Sequence, residues 1–421
     1  MSNLEGKNSS ELSGRAVFIR LPLTLTAFQY RNFRLYWFGQ LFSFIGTWMQ
    51  NVAKGWFVLS LTNSAFFVGL DSALSWLPVW IVSLPAGVLA DRFNKRNLMI
   101  LTQSALAFFA LLLAIFVWTK VVTIYHILFI SAFAGVFVAL NAPVAQTLVP
   151  ELVGREDILN AIALNSAMFN IARMIGPAIA GSLLTFTSPA TCFGINSLSF
   201  LAIIVALYFI RLNTPPPPRA DEPFRQRLIS GLLFVKNHPD IRLLMVMIGV
   251  FSSFGICYIP LMPVIARNML HIGVQGYGLM MTALGAGAVT GGLTLATISR
   301  TRHRGKILFA GTGMLGILVI IFSFVRNPIL GFILLLLIGF CQTSIASLTN
   351  TLIQTLSPDY IRGRVMSVFN LFFNGMFPLG SLIAGALAQM KGVPFALSVS
   401  GIFLFLTLVA VVSIRRQLIR L

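Results

Sequence analysis

The chain has 421 residues, of which 57% are hydrophobic and only 10% are charged, and its mean hydropathy is +0.88. Soluble domains carry about 25% charged residues, so this composition excludes an ordinary soluble protein and indicates a polytopic membrane protein. The net charge of +19 does not indicate a nucleic-acid-binding protein, because the basic residues stand in short clusters between long apolar runs.

The apolar runs predict an all-α membrane protein with twelve transmembrane helices. A spanning helix needs about 20 mostly apolar residues. The runs of sufficient length cover residues 33–60, 64–90, 97–118, 123–149, 160–187, 190–210, 241–266, 275–298, 306–325, 328–356, 363–390 and 393–414.

The distribution of positive charge predicts that both termini are cytoplasmic. Cytoplasmic segments of membrane proteins carry an excess of Lys and Arg, and this orientation places most of the 30 basic residues in such segments. The exceptions are Lys54, Lys120, Arg173, Arg267, Arg326 and Lys391. We therefore expect a multi-pass protein of the cell inner (cytoplasmic) membrane.

An internal repeat predicts two pseudo-symmetric six-helix bundles. QTLVP at 146–150 recurs as QTLSP at 354–358, and the basic loop after span two corresponds to the one after span eight. Duplicated transporters have such halves and bind substrate between them near the midplane. The predicted segments are a cytoplasmic segment 1–32, a bundle 33–210, a linker 211–240 with a Pro-rich start and an amphipathic helix, a bundle 241–414 and a tail 415–421.

Asp71 is the one of the 11 acidic residues that falls inside a predicted span. An ionised acid at the bilayer centre costs about 2.5–3.5 kcal/mol on insertion scales, so it needs a partner or a function. Lys54 and Asp71 each lie seven residues from the turn between spans one and two, which places both about 10 Å below it. The two residues form either a permanent ion pair or a proton-exchanging site that Lys54 or Arg173 tunes.

Polar residues in spans one, ten and eleven recur at steps of three and four, which places them on one face of each helix. For any single residue the simpler interpretation is an interhelical hydrogen bond, but the whole stripe of span one predicts a cavity wall. Trp48 either packs as an anchor or stacks on an aromatic substrate. The candidate cavity residues are Gln40, Ser43, Thr47, Trp48, Gln50, Asn51, Asn170, Thr343, Ser347, Asn350, Asn370 and Asn374.

Several stretches resemble one family of transporters. GVLADRFNKR at 87–96 resembles the signature loop between helices two and three of the major facilitator superfamily, with Asn94 where the pattern has its second Gly. The segments 31–50 and 148–181, together with RGRVMS at 362–367, resemble its enterobactin-exporter and macrolide-efflux-like branch, the transmembrane secretion effectors. The resemblance implies the twelve-helix major facilitator fold.

The same resemblance implies two functional groups of residues. In the family, the acid that matches Asp91 helps to hold the halves together on the cytoplasmic side, where a helix N-terminus favours a carboxylate. The implied cytoplasmic gate consists of Gly87, Asp91, Arg92, Arg96, Arg155, Arg362 and Arg364. Residues 173–181 resemble the antiporter motif, which the family associates with export, and Gly176, Pro177 and Gly181 are expected to bend span five.

Together these features predict a secondary active exporter. It moves a small amphipathic molecule, siderophore-like or drug-like, out of the cytoplasm by alternating access in exchange for protons. A lipid or lysolipid flippase, or a non-transporting regulatory protein on the same scaffold, is the alternative. An enzyme is not expected, since one intramembrane acid cannot hold a metal as paired carboxylates do. The expected partners are the substrate, protons and membrane lipids, with no cofactor, metal or nucleic acid, and the expected state is a monomer.

Overall fold

The structure is a computed structural model that describes residues 23–210, 224–298, 303–415 and 417–418. In the second helix, residues 83–92 are described by their backbone alone. The predicted N-terminal segment up to residue 22 and the Pro-rich start of the linker at 211–223 lie outside the described residues.

The described part of the chain is all-helical. It begins with a short 3-10 turn, Leu23–Gln29, and continues with fourteen α-helices. These are α1 Arg31–Thr62, α2 Ala65–Arg92, α3 Lys95–Trp118, α4 Ile124–Leu148, α5 Ile158–Phe186, α6 Pro189–Phe209, α7 Phe224–Asn237, α8 Pro239–Val250, α9 Tyr258–Val264, α10 Val274–Ile298, α11 Arg304–Phe324, α12 Pro328–Leu356, α13 Asp359–Lys391 and α14 Val393–Ile414.

Within the described residues, eleven segments are long and apolar enough to cross a membrane. α1 is not one of them, although it has 32 residues, because polar side chains such as Gln50, Asn51 and Lys54 lower its hydropathy. The predicted span 241–266 is not one continuous α-helix. It is α8 and α9 joined through a π-helical turn at Phe251–Gly255, and a second π-helical turn follows α9. Pro260 lacks the N–H group that would continue the ladder across this break.

The helices pack in a set of neighbouring pairs that brings distant parts of the chain together. α1 packs against α5 and α6, α2 against α4, and α3 against α4 and α6. In the later part of the chain, α10 packs against α12 and α11 against α12 and α14. Two further pairs join the earlier helices to the later ones, α2 with α13 and α5 with α10.

Small residues permit the closest of these approaches. A Cβ atom at Gly135 of α4 would lie only 2.5 Å from the carbonyl oxygen of Ser75 in α2. On the pair formed by α2 and α13, a Cβ atom at Gly69 would lie 2.9 Å from the Cα atom of Gly385. Helix association in a bilayer depends on such van der Waals packing, because lipid is as apolar as the helix surfaces.

Short segments are held against the helices by polar contacts. These contacts lie at the end of the molecule where the described chain begins and ends. Thr26 Oγ1 donates to Asp157 Oδ1 at 2.5 Å, and Gln29 Nε2 donates to Asp157 Oδ2 at 2.7 Å, which fixes the 3-10 turn on the start of α5. Lys95 at the start of α3 forms an ion pair with Glu151. The helix predicted at 224–236 is α7, and it packs against α13.

The close approach at Gly135 generates a stability prediction. We expect Gly135→Ala to lower the midpoint of thermal unfolding, because the added methyl group meets a backbone oxygen and overpacking costs about 1–3 kcal/mol. Gly194→Ala in α6 is the matched control, since no atom lies within 4 Å of a Cβ at that position. The measurement is thermal unfolding of both purified variants in the same detergent, and equal midpoints would contradict the predicted α2–α4 contact.

Candidate substrate cavity and charged site

A cavity of about 330 Å³ lies where α1, α2 and α5 meet the broken helix α8–α9, α10, α12 and α13. Its wall is mainly aromatic and aliphatic, with a few polar groups, which is the usual composition of a small-molecule site. The aromatic side chains are Trp48, Trp76, Phe169, Tyr277, Phe373 and Phe377. The polar and charged ones are Asn51, Lys54, Asp71, Ser72, Ser75, Arg173, Gln342 and Asn374.

Lys54 and Asp71 form an ion pair on this wall, as their equal depth below the α1–α2 turn predicts. Lys54 Nζ lies 3.1 Å from Asp71 Oδ2, and the two side chains are 13% and 6% exposed. The antiparallel hairpin of α1 and α2 produces this contact, because two helices that run from a common turn place residues of equal separation side by side. Water screens such a buried pair poorly, so its attraction is stronger than that of a surface pair.

Two serine hydroxyl groups complete the hydrogen bonds of the ion pair. Lys54 Nζ donates to Ser75 Oγ at 2.9 Å and to Ser131 Oγ at 2.8 Å. Ser131 Oγ donates to Asp71 Oδ1 at 2.5 Å, and Ser75 Oγ donates to the carbonyl oxygen of Asp71 at 2.8 Å. All three ammonium protons and both carboxylate oxygens thus have partners. This four-residue network, which we call the Lys54–Asp71 network, joins α1, α2 and α4.

Arg173 of α5 lines the same cavity but does not join that network. Its Cζ atom lies 5.8 Å from the ring centroid of Trp48, within the range of a cation–π interaction. Trp48 in turn contacts Phe169 edge to face, with the ring centroids 5.8 Å apart. Gly176 allows this arrangement, since a Cβ there would meet Trp48 Cβ at 2.6 Å. The second proposed partner of Asp71 is therefore held by an aromatic face instead.

The other polar groups of the cavity come from the later helices. Tyr258 Oη donates to Gln342 Oε1 at 2.6 Å, so the carbonyl oxygen of this amide is engaged and its NH₂ group is left for a ligand. Asn374 lies on α13, opposite the face of α1 that carries Asn51. The cavity thus receives polar groups from both sets of helices.

Contacts join the earlier and the later helices at the end where α1 turns into α2. Gln389 Oε1 of α13 accepts from Ser64 Oγ and from the backbone N–H of Ala65, both at 2.9 Å. The Trp56 and Tyr277 rings stack at 6.1 Å between α1 and α10. At the opposite end, the described polar residues Gln354, Ser367 and Asn370 are exposed.

Three of the predicted cavity residues, Trp48, Asn51 and Asn374, line the cavity. Others in α1 point into helix packing: Gln40 and Ser43 are buried, and Gln50 Oε1 accepts from Asn196 Nδ2 at 2.8 Å. The remaining candidates lie outside the cavity lining. Thr47, Asn170, Ser347 and Asn350 make contacts within their own helices, Asn370 is exposed and Thr343 is half-buried beside Gly292 of α10.

The implied gate residues have separate contacts where they are described. Arg96 Nη2 donates to the carbonyl oxygen of Tyr208, and Arg155 is exposed. Arg362 pairs with Asp359 at 2.5 Å, while Arg364 Nη1 donates to Ser230 Oγ in α7 at 3.0 Å. The side chains of Asp91 and Arg92 and the surroundings of Gly87 lie outside the described residues.

The bend motif of span five lies at helix contacts. α5 continues as one helix through Pro177. A Cβ at Gly181 would lie 3.0 Å from the Cα atom of Gly278 in α10. The motif therefore lets α5 approach both α1 and α10.

Sequence reasoning missed several residues that line the cavity or hold its polar groups in place. Ser75 and Ser131 are single hydroxyls in apolar spans, and neither periodicity nor spacing distinguishes them from ordinary packing residues. Gln342 stands next to Thr343 but off the three- and four-residue steps of the predicted stripe of α12, so that stripe does not identify it. Tyr258 and Tyr277 give no polar pattern, because aromatic residues are common throughout this chain.

The ion pair generates a second stability prediction. Removing one partner of a buried pair leaves an uncompensated charge and costs about 3–5 kcal/mol, whereas an apolar replacement of both is often neutral. We expect Lys54→Met to lower the unfolding midpoint strongly and Lys54→Met/Asp71→Leu to recover most of the loss. Thermal unfolding of the purified variants measures both effects.

Arg415→Met is the control for this cycle. Arg415 and Asp240 form a pair at 3.6 Å whose side chains are 36% and 40% exposed, and such pairs contribute about 0–1 kcal/mol. If Lys54→Met shifts the midpoint no further than Arg415→Met, the Lys54–Asp71 network does not stabilise the hairpin.

A family profile described as "Transmembrane secretion effector" matches residues 23–419 of the chain. The staphyloferrin A transporter of Staphylococcus aureus (strain NCTC 8325 / PS 47) is 26% identical over 367 residues, which are 85% of this chain and 90% of that protein. The multidrug efflux pump Tap of Mycolicibacterium fortuitum is 27% identical over 84% of this chain and 88% of its own. The enterobactin exporter EntS of Escherichia coli O1:K1 / APEC is 25% identical over 91% and 92% of the two chains.

Solved transporter structures share the fold. A bacterial homologue of the human lysosomal transporter Spinster, in an inward-facing and unoccupied conformation, superposes with a TM-score of 0.74 at 11% identity, covering 91% of this chain and 96% of that one. The nucleoside transporter NupG superposes with a TM-score of 0.72 at 11% identity, covering 91% and 98%. The family profile and the named relatives identify the chain as a membrane transporter and not an enzyme. Because the profile covers nearly the whole chain, the protein belongs to the transmembrane secretion effector family of the major facilitator superfamily.

Proposed function

We propose that the protein is a secondary active exporter, which moves a small amphipathic molecule out of the cytoplasm by alternating access in exchange for protons. The observation that carries this proposal is the cavity between the earlier and the later helices, with the Lys54–Asp71 network on its wall. A transporter of this fold needs a central site that both sides of the membrane reach in turn.

The proposed architecture has twelve spans in two six-helix halves and acts as a monomer. α1–α6 form the first half, and α8–α9 together form the first span of the second half, which continues through α10–α14. The internal repeat and the α2–α13 and α5–α10 contacts support this division. Large exposed side chains such as Leu198, Phe324 and Ile329 supply a surface for membrane lipids.

The proposed conformation is inward-facing, with both termini in the cytoplasm of an inner-membrane protein. The contacts of Ser64 and Ala65 with Gln389 support closure at the outer end. The exposed Gln354 and Asn370 support an opening at the end that carries the termini.

The proposed substrate is siderophore-like or drug-like. Relatives of the chain are named as siderophore and multidrug exporters, and the cavity combines an aromatic wall with a few polar groups. The alternative function, a flippase, would move a lipid from one leaflet of the bilayer to the other. Movement of a labelled lysolipid in vesicles that contain the purified protein would favour this alternative.

Asp71 is the proposed proton carrier. It lies on the cavity wall, and protonation removes its attraction for Lys54 and one of the contacts that hold α1 to α2. A proton that enters from the outer side thus changes the helix packing beside the cavity. This is the kind of local charge change that biases a two-state transporter.

The proton proposal predicts a specific loss in Asp71→Asn. We expect this variant to lose uptake into inside-out vesicles that a proton gradient drives, because an amide at this position cannot exchange a proton. The measurement uses a panel of siderophores and drugs, with and without an uncoupler. Asp240→Asn, which changes a half-exposed acid outside the cavity lining, is the control. Gradient-driven uptake that survives in Asp71→Asn would remove Asp71 as the carrier.

Conformation and orientation give a separate prediction. The cysteines at 192, 257 and 341 are buried, while Asn51 is exposed to the cavity. We expect Asn51→Cys to react with a membrane-impermeant thiol reagent in inside-out vesicles and to be protected in intact spheroplasts.

Lys120→Cys, in the exposed turn between α3 and α4, is the orientation control and should react only from outside. Equal labelling of Asn51→Cys from both sides would contradict closure of the outer end. Labelling of Lys120→Cys from the cytoplasmic side alone would reverse the predicted orientation.

A further inference from the structure

We propose that the cavity selects an amphipathic anion and that the guanidinium group of Arg173 binds its negatively charged group. This inference rests on the proposed export function and names the substrate class of that cavity.

The charge of the cavity wall points to an anion. Among the described lining residues, the groups that are ionised at neutral pH are Lys54, Asp71 and Arg173. The first two neutralise each other, and the three ammonium protons of Lys54 are already donated to Asp71, Ser75 and Ser131. Arg173 therefore leaves one positive charge in excess at the centre of the molecule.

Arg173 has no acidic partner and no hydrogen-bond acceptor among the described residues. The side chain lies over the face of Trp48, which orients the planar group, and it interacts electrostatically with Tyr258, but neither contact is a hydrogen bond from its five N–H donors. A guanidinium edge in that state matches a carboxylate or a similar anion, which it binds through two parallel hydrogen bonds. An intramembrane cation without a counter-ion is costly, so an incoming anion that neutralises it is bound favourably.

The neighbouring polar groups also favour an acceptor-rich ligand. Because Tyr258 engages the oxygen of Gln342, the amide NH₂ of Gln342 is available as a further donor. Asn51 and Asn374 are amides that adapt to either role. Donors in excess of acceptors suit a ligand that carries several oxygen atoms.

The rest of the wall requires that this anion also be amphipathic. Trp76 and Phe377 contact edge to face with centroids 5.8 Å apart, and Phe169 and Phe373 complete an aromatic lining. Such walls attract organic cations through cation–π interactions when no fixed charge is present. Arg173 reverses that preference, because it repels a second cation and binds an anion with an apolar body.

The test uses three probes that share one aromatic body and differ in charge: 1-naphthoate, 1-naphthamide and 1-naphthylmethylammonium. Binding to the full-length protein in lipid nanodiscs is measured by quenching of tryptophan fluorescence, with empty nanodiscs as the blank for partition into lipid. We expect naphthoate to bind with a Kd about tenfold or more below that of naphthamide, since a hydrogen bond to a charged group is worth at least this factor. The ammonium probe should bind most weakly.

Substitutions at Arg173 locate the effect. In Arg173→Gln we expect naphthoate to lose its advantage over naphthamide, and in Arg173→Lys we expect part of the advantage to remain. Arg326→Gln removes one positive charge at an exposed position outside this cavity and should leave the Kd ratio unchanged. Since each variant is judged by its own ratio of two probes, a partial loss of folded protein does not alter the result.

The inference is overturned if the wild-type protein binds the three probes equally, or if Arg173→Gln keeps the naphthoate preference. Should Arg173→Gln not fold, Arg173→Lys replaces it, and a naphthoate-to-naphthamide Kd ratio equal to that of the wild type then overturns the inference as well. Binding is measured separately from transport. Selective binding of naphthoate without gradient-driven uptake therefore contradicts the proposed function and leaves this inference standing. Gradient-driven uptake by a protein that binds the three probes equally contradicts this inference and leaves the proposed function standing.

Discussion

A charged side chain inside a membrane protein needs a partner from the protein itself, and the Lys54–Asp71 network is how this chain meets that requirement. The Lys54–Asp71 distance of 3.1 Å and the two serine hydroxyls satisfy every proton and carboxylate oxygen of the pair. The network also fixes the geometry around it, because it joins α1, α2 and α4, and α4 comes close to α2 at Gly135. Because α2 also packs against α13, the network helps to position α2 at that contact. The cavity wall therefore depends on an electrostatic constraint inside the first helices.

Arg173 shows the opposite solution to the same constraint. It is held by the face of Trp48 and no described carboxylate neutralises it. Burial of the Arg173 guanidinium group costs solvation free energy that no carboxylate of the described residues offsets. An anionic ligand can offset this cost, so it gains affinity from few contacts. Arg173 and the Lys54–Asp71 network stand on the wall of one cavity, so a saturated pair and an unsaturated cation share the same low-dielectric space. Water screens charges in such a space poorly.

The sequence predicted the parts of this arrangement that follow from helix geometry and hydropathy. Equal spacing from a turn is enough to place Lys54 beside Asp71, and apolar length is enough to predict the eleven described segments that are long and apolar enough to cross a membrane. The break between α8 and α9 was not predicted, because Pro260 and the π-helical turn at Phe251–Gly255 lie within a run whose hydropathy is continuous. The cavity was predicted only in part. The stripe of α1 defines a polar face, but the packing of α6 decides that Gln50 contacts Asn196 while Asn51 faces the cavity. Ser131 could not be found from sequence, since its role depends on a contact with residues 60 positions away.

The anion and the proton constrain one another through the charge of the cavity. Protonation of Asp71 raises the net charge of the lining ionised groups by one, so it strengthens the attraction for an anion and does not displace it. Exchange of an anion for a proton therefore requires the two to act on different conformations, with the proton favouring the form open to the outside. Direct competition predicts that Asp71→Asn, whose neutral amide resembles the protonated carboxyl group, binds naphthoate more weakly than the wild type does. The charge argument predicts that Asp71→Asn binds naphthoate more tightly, because the lining then carries one more positive charge in excess. Outward movement of an anion and inward movement of a proton both follow an inside-negative membrane potential, each gaining about 2.3 kcal/mol per 100 mV. Coupling through conformation is thus compatible with a strongly driven export, and the Kd of naphthoate for Asp71→Asn separates it from competition.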